Sequence, residues 1–202
     1  MPLSVSGQGL KRRMASAVRE ASRQMPFPWP GGFFLTDPGR TPDPASLIET
    51  LPPGVGVIYR HFGEDDRMEL ASKLRKACTK RGIPLLISND PHLAIAAQAD
   101  GVHWPEALAH QARSWRTRFT FQTQSVHSPA GMRQAVCDAV LFSVVFPSKS
   151  PSAGSAMGPI RFRSLIQTSN KLVYALGGVN GSTAGSVCRG AGLAAIEGFF
   201  GK

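Results

Sequence analysis

The sequence predicts an α/β fold, a closed parallel barrel, on three observations. Short apolar runs rich in β-branched and aromatic residues alternate with longer segments whose apolar residues recur at helical spacing. Eight such runs lie between Phe33 and Ile196. Several of the intervening segments open with Pro, or with Ser or Asp just before Pro, which is helix-start chemistry. Strands separated by helices run parallel, because a parallel pair needs a crossover connection. Eight of them close as a (β/α)8 TIM barrel, and 202 residues stand at the lower end of the length that fold occupies, about 200 to 400. An open doubly wound sheet is the alternative use of the same elements.

The elements follow in order. From Gln8 to Gln24 the residues Leu10, Met14, Ala17, Val18 and Ala21 fall on one stripe, which predicts an amphipathic N-terminal helix. Residues 1–30 thus read as a basic helical extension and 31–202 as the barrel domain, with the Pro- and Gly-rich stretch Met25–Gly32 between the two. Strands are predicted at Phe33–Thr36, Gly56–Arg60, Pro84–Ser88, Gly101–Trp104, Thr120–Val126, Ala139–Val145, Leu172–Leu176 and Leu193–Ile196. Helices are predicted at Pro44–Thr50, Asp65–Arg81, Pro91–Ala97, Pro105–Arg116, Pro129–Val136, Ile160–Thr168 and Ser182–Gly190. Only six residues follow Ile196, so the barrel lacks a full final helix. Either the N-terminal helix or a second subunit is expected to cover that gap.

Composition narrows the function. With 42% hydrophobic and 18% charged residues the chain has material for one core and does not read as disordered. No apolar stretch reaches the roughly 18 residues of a membrane helix, and the charged first 30 residues do not read as a secretory signal. Cys78, Cys137 and Cys188 make an odd count without CxxC spacing, which fits a reducing cytoplasm and idle thiols. The net charge of +10 asks for an anionic partner: nucleic acid, a membrane surface or an anionic small molecule. Lys11, Arg12, Arg13, Arg19 and Arg23 against Glu20 put much of that charge on the first helix. A surface helix laying its apolar stripe on the barrel is the plainer reading, with nucleic acid or membrane contact left open. Zinc-finger spacing and RNP aromatic motifs are missing from the sequence.

A barrel collects its chemistry at the C-terminal ends of its strands. Those ends read Thr36–Asp37, Arg60–His61–Phe62, Ser88–Asn89–Asp90, His103–Trp104, Ser125–Val126–His127, Val145–Pro151, Gly177–Gly178 and Glu197–Gly198. Nearly every polar residue or glycine that interrupts an apolar run falls there. Gly177–Gly178 reads as a phosphate cradle of backbone N–H groups or as a tight turn needing positive φ. Arg60, always charged, suits phosphate or carboxylate, or else a surface pairing with Asp65 or Asp66. Asn89 and Asp90 read as ligand and cation groups, or Asp90 as the N-cap before Pro91. His127 is the acid–base candidate and His103 a hydrogen-bonding residue of the barrel wall. Ser148, Lys149 and Ser150 belong to a hydroxyl-rich loop able to close over an anion.

Taken in order and spacing, Phe34-Leu35-Thr36-Asp37, Val57-Ile58-Tyr59-Arg60, Leu86-Ile87-Ser88-Asn89-Asp90, Ala99-Asp100-Gly101-Val102-His103, Ser125-Val126-His127-Ser128, Val145-Phe146-Pro147-Ser148 and Ala175-Leu176-Gly177-Gly178-Val179 resemble the thiamine phosphate synthase/TenI family. The resemblance implies a barrel that binds thiazole phosphate at Gly177, Gly178 and the next strand end, at Gly198. In the synthase branch a pyrimidine diphosphate loses pyrophosphate with help from magnesium, and the thiazole nitrogen captures the cation. Arg60, Asn89 and Asp90 match that branch's pyrophosphate and metal residues, and Ser125, Ser148 and Ser150 its hydroxyl positions. In the TenI branch a carboxythiazole phosphate is tautomerised without metal, and His127 matches the proposed proton shuttle.

Four positions depart from the synthase pattern. The strand Ile58-Tyr59-Arg60-His61-Phe62 lacks the amide and lysine of Gln-x-Arg-x-Lys. The second metal carboxylate falls at Leu108, with Glu106 displaced, and the lysine after the hydroxyl loop falls at Pro151, near Lys149 and Arg161. With these departures the resemblance implies tautomerase chemistry by His127 and Arg60, with no cofactor. A magnesium-dependent synthase using Asn89 and Asp90 stands second, and a non-catalytic phosphate-binding regulatory barrel third. The expected partner is a small phosphorylated thiazole or pyrimidine, a homodimer is allowed, and the location is the cytoplasm.

Overall fold

A computed structural model describes residues 6–61, 66–148, 150 and 154–201. Its strands are β1 (Gly32–Leu35), β2 (Val55–Tyr59), β3 (Leu85–Ser88), β4 (Gly101–Trp104), β5 (Phe121–Val126), β6 (Ala139–Ser143), β7 (Leu172–Leu176) and β8 (Gly192–Ala195). They are parallel and close in sequence order, β1 pairing back on β8 with Phe33 opposite Ala194 and Phe34 opposite Ala195. The protein is a (β/α)8 barrel, not the open sheet. Strand boundaries fall within one or two residues of the predicted ones.

Period-two alternation divides each strand between two layers. Phe33, Leu35, Ile58, Leu86, Leu141, Tyr174 and Ala194 point inward and form the core of the barrel interior. Phe34, Val57, Leu85, Ile87, Val102, Val140, Phe142 and Leu193 point outward beneath the helices. Tyr174 lies against Gly192, where any side chain would run into its ring, and its hydroxyl donates to the Pro30 carbonyl at 2.8 Å. Trp29, packed edge-on to Phe121 at 4.9 Å, joins the same inner cluster. The lower interior is therefore filled, and only the rim is left for a ligand.

The helices are α1 (Gly7–Ser22), α2 (Pro44–Glu49), α3 (Arg67–Arg81), α4 (Pro91–Ala96), α5 (Pro129–Gln134) and α6 (Pro159–Gln167). The Ser6 hydroxyl caps α1, accepting from the Gly9 N–H at 3.2 Å. Met14, Ala17, Val18 and Ala21 of α1 are buried, and the helix packs on β8, β1 and the turn Gly198–Phe200. It covers the seam where β8 closes on β1, while Lys11, Arg12, Arg13, Arg19 and Arg23 face outward. The apolar stripe thus has a partner within the chain.

Two predicted helices differ. Glu106–Trp115 is a 3-10 segment rather than an α-helix, and its Ala112 carbonyl is taken by the Gln122 side chain at 3.1 Å. Between Ser182 and Gly190 only the 3-10 turn Ala184–Ser186 forms. That stretch holds Gly185 and Gly190, both poor in a helix, and its hydroxyls bond back to the backbone, Thr183 to Gly178 O and Ser186 to Thr183 O. Cys78, Cys137 and Cys188 are buried and unbridged, and burial pushes the thiols of Cys78 and Cys137 up to about 12. They are packing residues. Among the described residues no helix is long and apolar enough to cross a membrane.

Candidate active site

The alternation that fills the barrel below also builds its rim. Two residues above an inward apolar position, the next inward position is polar: Arg60 above Ile58, Ser88 above Leu86, Ser143 above Leu141. On β4 and β5 the same step brings in His103 and Ser125. Together with the βα loops they enclose a cavity of about 800 Å³, within the ordinary range for small-ligand sites.

One side of this cavity is cationic. The Thr36 hydroxyl, fully buried, accepts the Arg60 backbone N–H at 2.9 Å and so fixes the end of β2. Burial holds the Arg60 guanidinium below its ordinary pKa, and Asp37 only partly compensates because Arg40 opposes it. Among the described residues Arg60 forms no ion pair. Arg40 is held by a closed turn: Asp37 accepts from the Arg40 N–H at 3.0 Å and from its Nη2 at 3.2 Å, while Thr41 bonds both ways with the Asp37 backbone. Burial raises the Asp37 carboxyl, but the Arg40 bonds and the charges of Arg40 and Arg60 outweigh it and leave it below the usual carboxylate range. Asn89 lines the same side with φ of +56°, a left-handed conformation that Asn tolerates better than most residues.

The other side is built from backbone. Gly177 and Gly178 have φ of +90° and +63°, and a Cβ on Gly178 would run into the Pro147 carbonyl. Both conditions demand glycine. Thr183 ties the turn down, donating to Gly178 O at 2.8 Å and accepting from Asn180 N at 3.0 Å. Among the described residues the N–H groups of Gly178, Val179 and Glu197 have no acceptor, and all three residues line the cavity. Gly198 lies beside them, so close to Val179 that a Cβ would strike its carbonyl. Unpaired N–H groups gathered on one wall make an anion cradle.

Imidazoles complete the site. His103 is buried, with Nδ1 2.8 Å from Thr123 Oγ1 and Nε2 3.0 Å from Ser125 Oγ. Burial, and then the nearby Arg60 charge, lowers its pKa from 6.5 to about 3, so it is neutral and orients Ser125. His127 is exposed on the rim; its Nδ1 is 3.2 Å from the Ser143 carbonyl and its N–H donates to Glu106 Oε2 at 3.1 Å. A carbonyl only accepts, so Nδ1 donates to it, and Nε2 is the ring nitrogen left for proton exchange. His127 also borders a second cavity with Phe142, Met157, Arg161 and Leu165.

Of the predicted site residues, Arg60, His127, Ser125, Ser148, Ser150, Asn89, Gly177, Gly178 and Gly198 share the one cavity. Lys149, like Phe62 and Pro151, lies outside the described residues. Asp90 stands off the cavity: Oδ1 caps α4 at Leu93 N, 2.8 Å away, and Oδ2 pairs with Arg67 at 3.0 Å. Arg40 and Asn180 line the cavity without having been expected there. The Asp37-Pro38-Gly39-Arg40 turn was the available signal for Arg40.

Such a chain, with an arginine wall and a main-chain N–H wall around one rim cavity, is a (β/α)8 barrel whose candidate site lies where that fold collects its chemistry. The sequence profile described as thiamine monophosphate synthase matches residues 34–198, and the chain belongs to that family. A thiamine-phosphate synthase of Limosilactobacillus reuteri is 32% identical over 142 residues, 60% of this chain. The match spans 62% of that relative, less than two thirds of its length. A thiamine-phosphate synthase of Methylococcus capsulatus is 28% identical over 198 residues, covering 89% of this chain and 86% of the relative. The structure of thiamine phosphate pyrophosphorylase from Pyrococcus furiosus superposes with a TM-score of 0.71 at 21% identity, over 85% of this chain and 87% of that one, and shows the same fold.

Magnesium, which the family resemblance implies, is poorly matched by the side chains present. Both Asp90 oxygens are engaged, one by a guanidinium, and Leu108 offers no oxygen ligand where a second carboxylate is expected. Among the described residues no three His, Cys, Asp or Glu side chains gather at one place.

Proposed function

We propose that the chain makes thiamine phosphate, joining two phosphorylated ring compounds, a pyrimidine diphosphate and a thiazole phosphate, as the synthase resemblance implies. The observation that carries this reading is the single cavity with two anion sites of different make. Arg60 and Asn89 suit a multiply charged diphosphate, and the Gly178, Val179 and Glu197 N–H groups suit a phosphate monoester. A volume of about 800 Å³ admits both at once.

In this reading the bond between the pyrimidine methylene and the diphosphate oxygen breaks, and its electron pair leaves on pyrophosphate. The Arg60 guanidinium lies where that charge grows, in a partly buried setting that strengthens its effect. The thiazole nitrogen lone pair then forms the new carbon–nitrogen bond, a step needing no proton from the protein. Ser88, Ser125 and Ser143 present neutral hydroxyls to the ring substituents. Incubation of the purified protein with both compounds, with and without magnesium, tests it: thiamine phosphate and pyrophosphate are expected in equal amounts. An unconsumed pyrimidine diphosphate would refute the reading.

A second reading, tautomerisation of a carboxythiazole phosphate, rests on His127. Its free Nε2 on the cavity wall is placed to take and return a proton. His127→Ala is then expected to slow tautomer exchange by about 100-fold or more, measured by proton NMR of the thiazole. Full exchange by the variant removes this reading and leaves the first untouched.

A further inference from the structure

Arg40 is the one arginine or lysine lining the cavity besides Arg60 among the described residues. Its position is fixed before any ligand arrives. The turn from Asp37 to Thr41 is closed by the Thr41 N–H to Asp37 O bond at 2.7 Å and by the Thr41 hydroxyl, which accepts from Asp37 N at 2.8 Å. Thr41 itself is 1% exposed. From this platform the guanidinium reaches three elements: Nη2 lies 3.2 Å from Asp37 Oδ2 and 3.4 Å from Ser150 Oγ, and Nη1 lies 3.8 Å from Glu197 Oε2. The Glu197 contact is too long for a hydrogen bond, so Nη1 keeps donor capacity toward the cavity.

Two arginines converge here with the one carboxylate of Asp37 acting on both: it hydrogen-bonds Arg40 and reaches Arg60 only through its charge, and Arg60 forms no ion pair among the described residues. Each feels the other, since the Arg40 charge works to lower the Arg60 pKa. Like charges brought together on rigid supports are unfavourable until an anion enters between them. A fork of two guanidiniums offers more donors than a phosphate monoester accepts, and matches the several oxygens of a diphosphate.

We propose that Arg40 is a second diphosphate-binding residue, which with Arg60 forms a two-arginine clamp across the ends of β1 and β2. This deepens the proposed function and rests on it for the identity of the anion. It also gives the diphosphate side two fixed cations where the oxygen ligands for a metal are poorly matched. Nη1 exchanges its long contact with Glu197 for a phosphoryl oxygen, while Nη2 stays on Asp37. The clamp therefore closes by a side-chain shift and not by movement of the turn.

Calorimetric titration with inorganic pyrophosphate tests the clamp directly, using the whole chain as wild type, Arg40→Gln and Arg40→Lys, each checked for native folding by circular dichroism. Arg40→Gln is expected to weaken pyrophosphate about 10- to 100-fold, the loss of one or two charge-assisted bonds, with Arg40→Lys between it and the wild type. Thiazole phosphate affinity, measured on the same samples, is expected to change less than about twofold to threefold, since it uses backbone donors. Wild-type pyrophosphate affinity in Arg40→Gln overturns the clamp and leaves the proposed function standing. Equal losses for both ligands also overturn it, because they assign Arg40 a general structural role. A wild type that binds no pyrophosphate overturns the proposed function itself, and the clamp with it.

Discussion

The two walls of the rim cavity solve the same problem in different ways. Between β1 and β3 the proposed anion site uses long side chains: Arg60, whose backbone N–H is held by Thr36 of the neighbouring strand end, and Arg40, held by Asp37 of its own turn. Between β7 and β8 it uses main-chain N–H groups exposed by two glycines at positive φ. A side-chain site is tuned by charge and tolerates a change of shape. A backbone site carries no titratable group and tolerates no added carbon. The comparison teaches where each wall is vulnerable, and substitutions should separate them cleanly.

The largest effect is expected at Arg60. Arg60→Ala removes the buried cation and should lower the joining rate by about 100- to 1000-fold, the size seen when one preorganised charge-stabilising group is lost. Thiazole phosphate binding should be nearly unchanged, and steady-state kinetics in both substrates read the difference. Gly178→Ala inverts the pattern: the positive φ and the clash with Pro147 should destabilise the fold by about 1–3 kcal/mol, with thiazole phosphate affinity falling before pyrophosphate affinity. Urea titration with and without each ligand checks it.

His103 lies beneath both walls and adds a pH signature. The folded chain keeps it neutral down to about pH 3, whereas the unfolded chain takes up a proton near 6.5. Between those values the unfolded state binds more protons, so stability is full above pH 6.5 and falls as pH drops, by at most about 1.4 kcal/mol per unit. His103→Gln, which can keep bonds to Thr123 and Ser125 without titrating, should flatten that slope in urea titrations from pH 7 to 4. A slope unchanged by the substitution would assign the acid sensitivity to other groups. The smallest effect is expected at the seam of the two walls. Glu197→Gln removes a carboxylate that lines the cavity beside the glycine cradle and should tighten thiazole phosphate by about two- to fivefold, a typical exposed-charge effect.

Much of this was legible in the letters, and the reason is the period of two. Ile58 to Arg60 and Leu86 to Ser88 show inward apolar residues giving way to polar ones at a strand end, so the strands and half the site emerged from one pattern. Gly177–Gly178 was visible because nothing else interrupts that strand–turn junction. The closing role of α1 was open between two readings, since a stripe of Met14, Ala17, Val18 and Ala21 does not name the surface it covers. Arg40 was missed although its Pro-Gly turn was visible, because it lies five residues beyond β1 and its aim is set by the bonds of Asp37 and Thr41. Asp90 carried two meanings, and its side chain both caps α4 and pairs with Arg67, a residue far away in sequence. The missing helix after Ser182 shows local chemistry outweighing topology: hydroxyls and glycines satisfied the backbone before a helix could.

The central claim is that two anions occupy one cavity together. Calorimetric titration of thiazole phosphate into protein already saturated with pyrophosphate reads it most directly. The account predicts one site per chain with affinity little changed from that of the free protein. Competition between the two, with thiazole phosphate unable to bind until pyrophosphate is displaced, would contradict it.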